Sequence, residues 1–220
     1  MPGLFLGFSW LVEAAGYYLR VIGARAGQAS MGYTRHVQLA TLMRAGSFVA
    51  LPLIAYNVDL GHSFSSLRTI PLITFGILIL GLSACLSKVD SVYVLLKLVN
   101  KVLTRISGSE IDRNKREEIE SITFGNVDFR VTFLSLVTFV ITSNAFFLTM
   151  IYASKHPEYR ASIFQFTPFI SFIGTIIATF YLDTKVSSSI DSLEGVDIVN
   201  SLLLGRLIGS GMGVLFYLFL

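Results

Sequence analysis

The chain is poor in the residues on which most soluble enzymes depend. Only 14% of its 220 residues are charged, where a soluble domain carries about 25%. It holds one cysteine, one tryptophan, three histidines and five prolines. A lone Cys85 excludes an intramolecular disulfide and any Cys-based metal site. His36, His62 and His156 fall in three separate predicted loops, so no converging metal triad is expected. No GxxxxGK[ST] loop, HExxH helix or GxSxG elbow occurs, which removes ATP drive and the familiar hydrolase chemistries. The expectation is a protein without metal or cofactor that is not an enzyme.

What the chain has in abundance is apolar surface. Hydrophobic residues make up 53% of it and the mean hydropathy is +0.69, the composition of an integral membrane protein. Its length suits one helical bundle and leaves no room for a soluble catalytic domain beside it, so residues 1–220 are expected to form a single all-α membrane domain. The formal charge of +3, from 17 Lys and Arg against 14 Asp and Glu, speaks to topology before it suggests nucleic acid. No nucleic-acid partner is expected.

Apolar runs predict six spans, at about 4–22, 37–55, 69–86, 131–153, 161–182 and 198–220. The first lacks the basic region of a secretory signal and is expected to be retained. Residues 23–36 read as a small, polar connecting loop. In 91–106, Lys97, Lys101 and Arg105 recur every four residues against Val94, Leu95, Leu98, Val102 and Leu103. That pattern predicts a helix lying in the membrane interface, with a short seventh span as the alternative. It opens a cytoplasmic segment, 88–130, whose part 107–121 is strongly charged. With alternating sides, the loops after spans 1, 3 and 5 hold Arg25, Arg35, Lys88, Lys97, Lys101, Arg105, Arg113, Lys115, Arg116, Arg130 and Lys185, whereas the opposite side holds only Arg68, Lys155 and Arg160. The excess marks the cytoplasmic face and puts both termini outside the cytoplasm.

Four ionisable residues break the apolar runs: Glu13, Arg20, Arg44 and Arg206. Each costs at least a few kcal/mol in hydrocarbon and so marks a candidate functional position. Glu13 and Arg20 are seven apart and share a helix face, about 10 Å from one another along the axis. Arg44 and Arg206 sit about 10 to 12 Å past the cytoplasmic starts of their spans, in the same leaflet as Arg20. Snorkelling to the headgroups is the competing account and stays open for Arg20. A guanidinium prefers a planar oxyanion that accepts two hydrogen bonds. Three such cations against the one acid Glu13 predict an anionic ligand, with Glu13 as counter-ion or coupling group. Gly205, Gly209 and Gly213 form two overlapping GxxxG units, a groove for close helix packing that holds Arg206 at its edge. Asn144 and Gln165 are expected to make interhelical hydrogen bonds.

Three stretches, EAAGYYLRVIGARAG (13–27), LMRAGSFVALP (42–52) and LLLGRLIGS (202–210), together resemble the Amj family, bacterial multi-pass proteins that act as alternative lipid II flippases. The similarity lies in an acid seven residues before an arginine, the Y-x-R-x-x-G-x-R spacing of Tyr18, Arg20, Gly23 and Arg25, a second-span arginine followed by proline, and G-R-x-x-G near the C-terminus. The resemblance implies a flippase of the bacterial cytoplasmic membrane, working in peptidoglycan and cell-wall synthesis and hence in cell shape. Its partners would be membrane lipids and a lipid-linked diphosphate substrate held by Arg20, Arg25, Arg44 and Arg206. An intramembrane lipid-phosphate enzyme and a non-transporting assembly subunit remain as alternatives.

Overall fold

The computed structural model describes residues 2–61, 64–87, 101, 127–191 and 195–220, and among them there is helix and turn but no strand. In chain order, α1 (Pro2–Ala15) and α2 (Tyr17–Arg25) adjoin at Gly16, followed by α3 (Ala29–Asp59) and α4 (Phe64–Ser87). After them come α5 (Phe129–Lys155), a 3-10 turn (Pro157–Tyr159) and α6 (Arg160–Ile177). A π-helical turn (Ala178–Asp183) leads into α7 (Thr184–Asp191), and α8 (Gly195–Phe219) closes the fold. Among the described residues, five stretches are long and apolar enough to cross a membrane, against six expected: Ala29–Asp59, Ser65–Ser87, Phe129–Lys155, Pro157–Ile190 and Gly195–Phe219. The protein is an all-α polytopic bundle. The expected interfacial helix at 91–106 and the charged segment at 107–121 lie outside the described residues, Lys101 excepted.

Two predicted boundaries change. The first span, expected as one helix over 4–22, is divided at Gly16, so α1 and α2 are 14 and 9 residues long. Gly16 stands close against α3, where a Cβ would fall 2.9 Å from the Leu39 side chain. The chain tightens there, with Leu19 N–H donating to Gly16 O at 3.0 Å, three residues back. The loop expected at 23–36 shrinks to residues 26–28, where Gly27 takes φ 72° and ends α2 in the left-handed region. Gly23 and Gly32 make the tight return possible. A Cβ on Gly23 would lie 2.5 Å from the Gly32 Cα, so α2 and α3 touch backbone to backbone. Arg35 and His36, expected in that loop, are therefore buried helix residues.

Helix α5 packs between α6 and α8, while α4 packs on α1 and α8. Where these meet, Phe75, Phe147 and Tyr217 are fully buried with ring centroids 5.5 to 6.0 Å apart. The glycine face of α8 is spent inside the molecule. A Cβ on Gly205 would meet Thr132 O at 2.3 Å and one on Gly209 would meet Phe139 at 2.8 Å, both on α5. One on Gly213 would strike Phe75 of α4 at 2.7 Å. Asn144 accepts from the Tyr217 hydroxyl at 2.9 Å, tying α5 to α8, while Gln165 is exposed on α6.

Hydrogen bonds define the two ends of the bundle. Thr74 donates to Gly3 O at 3.1 Å, Arg68 to Leu218 O at 3.4 Å, and Arg160 to Asp59 at 3.0 Å. The first residues of α1 and the last of α8 thus share an end with the α3–α4 and α5–α6 turns. At the other end, Asp128 caps α5 by accepting from the backbone N–H of Arg130 and Val131 at 2.9 and 3.2 Å. Its own N–H donates to Ser201 at 2.9 Å. Helix α6 is the least enclosed: only Ile163, Thr167 and Gly174 are buried, and Phe166, Phe169, Phe172 and Ile173 face outward. In a bilayer, lipid covers that face.

Candidate anion-binding cavity

A cavity of about 580 Å³ lies inside the bundle, walled by α1, α2, α3, α5, α6, the π-helical turn and α8. Glu13 of α1, Arg44 of α3 and Arg206 of α8 all line it. These residues are 31 to 193 positions apart in sequence and meet only because α1, α3 and α8 surround one space. Arg44 is the central residue of α3 and is exposed, while Arg206 and Glu13 are half-buried. Phe172 of α6 also lines the cavity and is exposed, so the cavity opens on the side of α3 and α6.

Arg20 is placed differently. It is 6% exposed, does not line the cavity, and lies behind Tyr17. Its guanidinium donates to Ser187 of α7 and pairs with Asp183 at 3.9 Å. It also stands 5.1 Å from the centroid of the Tyr33 ring, within cation–π range. The prediction made Glu13 the sole acid among the arginines. The structure adds Asp183, which lines the cavity at the end of the π-helical turn, one residue past the boundary drawn for the fifth span. An apolar run that stops at an acid reads as a span followed by a loop, so the signal was present but lay on the wrong side of a boundary. Arg25 sits half-buried in the last turn of α2, away from the cavity lining.

Tyr17 joins these groups. Its hydroxyl donates to Asp183 at 3.0 Å, its ring lies 5.7 Å from the Arg206 guanidinium carbon and 6.0 Å from that of Arg20, and the His36 ring sits 4.3 Å away. The position of Tyr17 follows from the break at Gly16 immediately before it, and that of Asp183 from the π-helical turn. Two helix irregularities thus meet through one hydrogen bond, and such irregularities recur at functional sites.

The remaining wall is aromatic and hydroxylated. Trp10 lines the cavity and packs edge-on against Phe139, Phe146 and Phe147 at 6.1, 6.3 and 5.9 Å. Thr138, Thr142 and Ser143 of α5 face Thr167, Ser171 and Thr175 of α6. Most of these hydroxyls donate to carbonyls of their own helix, as Thr142 does to Thr138 O at 2.8 Å and Thr175 to Ser171 O at 3.0 Å. Their oxygens keep lone pairs free to accept. The hydroxyl wall was missed because Ser and Thr at four-residue spacing in an apolar run look the same whether they face lipid, protein or cavity.

Among the described residues, no carboxylate lies within 4.0 Å of the Arg44 or Arg206 guanidinium. Among the described residues, with Arg20 matched to Asp183 and Glu13 set against two cations, one positive charge stands in excess around the cavity. The arrangement is therefore suited to binding an oxyanion. Among the described residues there is no group of three His, Cys, Asp or Glu side chains that could hold a metal. No protein-family model matches the chain, and neither a curated protein nor a solved structure matches it.

Proposed function

We propose that this protein moves a phosphate-bearing lipid between the leaflets of a bacterial cytoplasmic membrane, gripping the phosphate with Arg44 and Arg206. The observation that carries the reading is their convergence on one intrabundle cavity with no carboxylate within 4.0 Å among the described residues. Within a membrane, an arginine with no carboxylate beside it is costly unless a ligand supplies the anion. The opening beside α3 and α6 suits a lipid whose headgroup enters while its chains stay outside. The motif resemblance adds the substrate class, a polyprenyl-diphosphate-linked precursor of the cell envelope such as lipid II, and the bias of basic residues would put both termini outside the cytoplasm. The contacts of Arg20 favour a supporting role, with its charge matched to Asp183, so the grip narrows from four arginines to two.

The direct test is reconstitution in liposomes with a labelled polyprenyl-diphosphate lipid. Movement of the label between leaflets with the lipid chemically intact is the expected outcome. Hydrolysis or transfer of the diphosphate would favour an intramembrane enzyme, and neither movement nor change would favour an assembly subunit.

A further inference from the structure

Opposite charges line this cavity without touching. Glu13 faces the same space as Arg44 and Arg206, yet among the described residues no ion pair within 4.0 Å joins its carboxylate to either guanidinium. Arg20, by contrast, reaches an acid of its own. Opposite charges in a medium of low dielectric gain by meeting, so helices that hold them apart leave room for a ligand with the complementary pair. A plain anion on the arginines would face Glu13 as a like charge. An ammonium group on the same headgroup turns that repulsion into attraction.

The surroundings of Glu13 suit an ammonium. Trp10 lies three residues earlier on α1, on the same helix face, and also lines the cavity. The face of an indole ring attracts a cation. Across the space, Thr142 and Thr175 have donated their hydroxyl protons to their own helices and offer oxygen lone pairs to N–H donors.

We infer that the ligand of this cavity is a lipid headgroup carrying both a phosphate and an ammonium, the phosphate on Arg44 and Arg206 and the ammonium beside Glu13 and Trp10. The inference rests on the phosphate-binding reading above and adds the amine to it.

Trp10 is the only tryptophan in the chain, so the emission of the full-length protein in detergent reports on this cavity. The probes are a short-chain phosphatidylethanolamine and its N-acetylated derivative, which keeps the phosphate and loses the positive charge. The wild-type protein is expected to bind the amine form about tenfold more tightly, the scale of one charge-assisted contact. Glu13→Gln is expected to bind both lipids with affinities within about twofold of each other, and Arg44→Lys to weaken both. The two-lipid comparison on the wild-type protein needs no variant to fold. Equal or tighter binding of the N-acetylated lipid overturns the ammonium site, and the phosphate reading survives if Arg44→Lys still weakens both. A response to neither lipid beyond that given by a neutral diacylglycerol overturns both readings.

Discussion

Tyr17, Arg20 and Asp183 show how one buried charge is accommodated at the residue scale. Arg20 sits in the bundle because Ser187 accepts its hydrogen bond and Asp183, four residues earlier on the continuous run from the π-helical turn into α7, pairs with it at 3.9 Å, while the Tyr17 and Tyr33 rings face it. Removing the carboxylate strands the guanidinium. Asp183→Ala is expected to cost roughly 1–3 kcal/mol, toward the low end because the Asp183 side chain is 40% exposed and water screens the pair. Asp183→Asn should cost less, since its carbonyl still accepts from Tyr17. Thermal unfolding of the two variants in detergent checks the ranking, and equal Tm values for both and the wild type would remove the pair from the account. Glu13, Arg44 and Arg206 were legible in the sequence because an ionisable group inside an apolar run stands out. Asp183 was not, because it ends its run, and Tyr17 was not, because an aromatic near a charge gives no sign of which way it faces.

Helix packing accounts for how the cavity is held at the scale of elements. The four-residue glycine repeat of α8 was readable as a packing groove, but the sequence carried no information on which helix fills it. In the structure α5 comes against Gly205 and Gly209, and α4 against Gly213. Gly211, on the same helix, faces open space. Gly205→Ala forces its Cβ against the Thr132 carbonyl, a backbone atom that cannot swing aside, and is expected to destabilise by roughly 1–3 kcal/mol. Gly211→Ala is expected to be neutral or to stabilise by at most about 1 kcal/mol. Unfolding temperatures of the pair test this, and an equal loss in both would mean that α8 does not depend on that contact. Helix ends were the least legible part: the polar stretch before the second span looked like a loop, yet most of it is helix, with Gly23, Gly32, Arg35 and His36 buried.

The whole molecule is where composition speaks most plainly. Hydropathy predicts six spans, and five stretches long and apolar enough to cross a membrane stand among the described residues, the first predicted span being divided into two short helices. The orientation we propose rests on the bias of basic residues, which would put the α2–α3 turn and α7 toward the cytoplasm. In a Cys85→Ala background, which removes the single native thiol, a cysteine at Ser188 is expected to resist impermeant thiol reagents in intact cells. One at Glu158, in the turn at the opposite end, is expected to react. Both positions are in exposed or half-buried segments, so access rather than burial decides the result. The reverse pattern would invert the orientation.

If Arg44 and Arg206 grip one phosphate together, a double-substitution cycle on lipid movement in proteoliposomes will show it. Lysine keeps the charge of arginine and loses the planar fork that binds two oxygens at once, so Arg44→Lys and Arg206→Lys are each expected to slow movement by about tenfold or more. Because both would act on the same group, the double variant is expected to fall well short of the product of the two single losses. Unimpaired movement by either lysine variant at normal expression, or losses that multiply fully in the double, would contradict a shared grip.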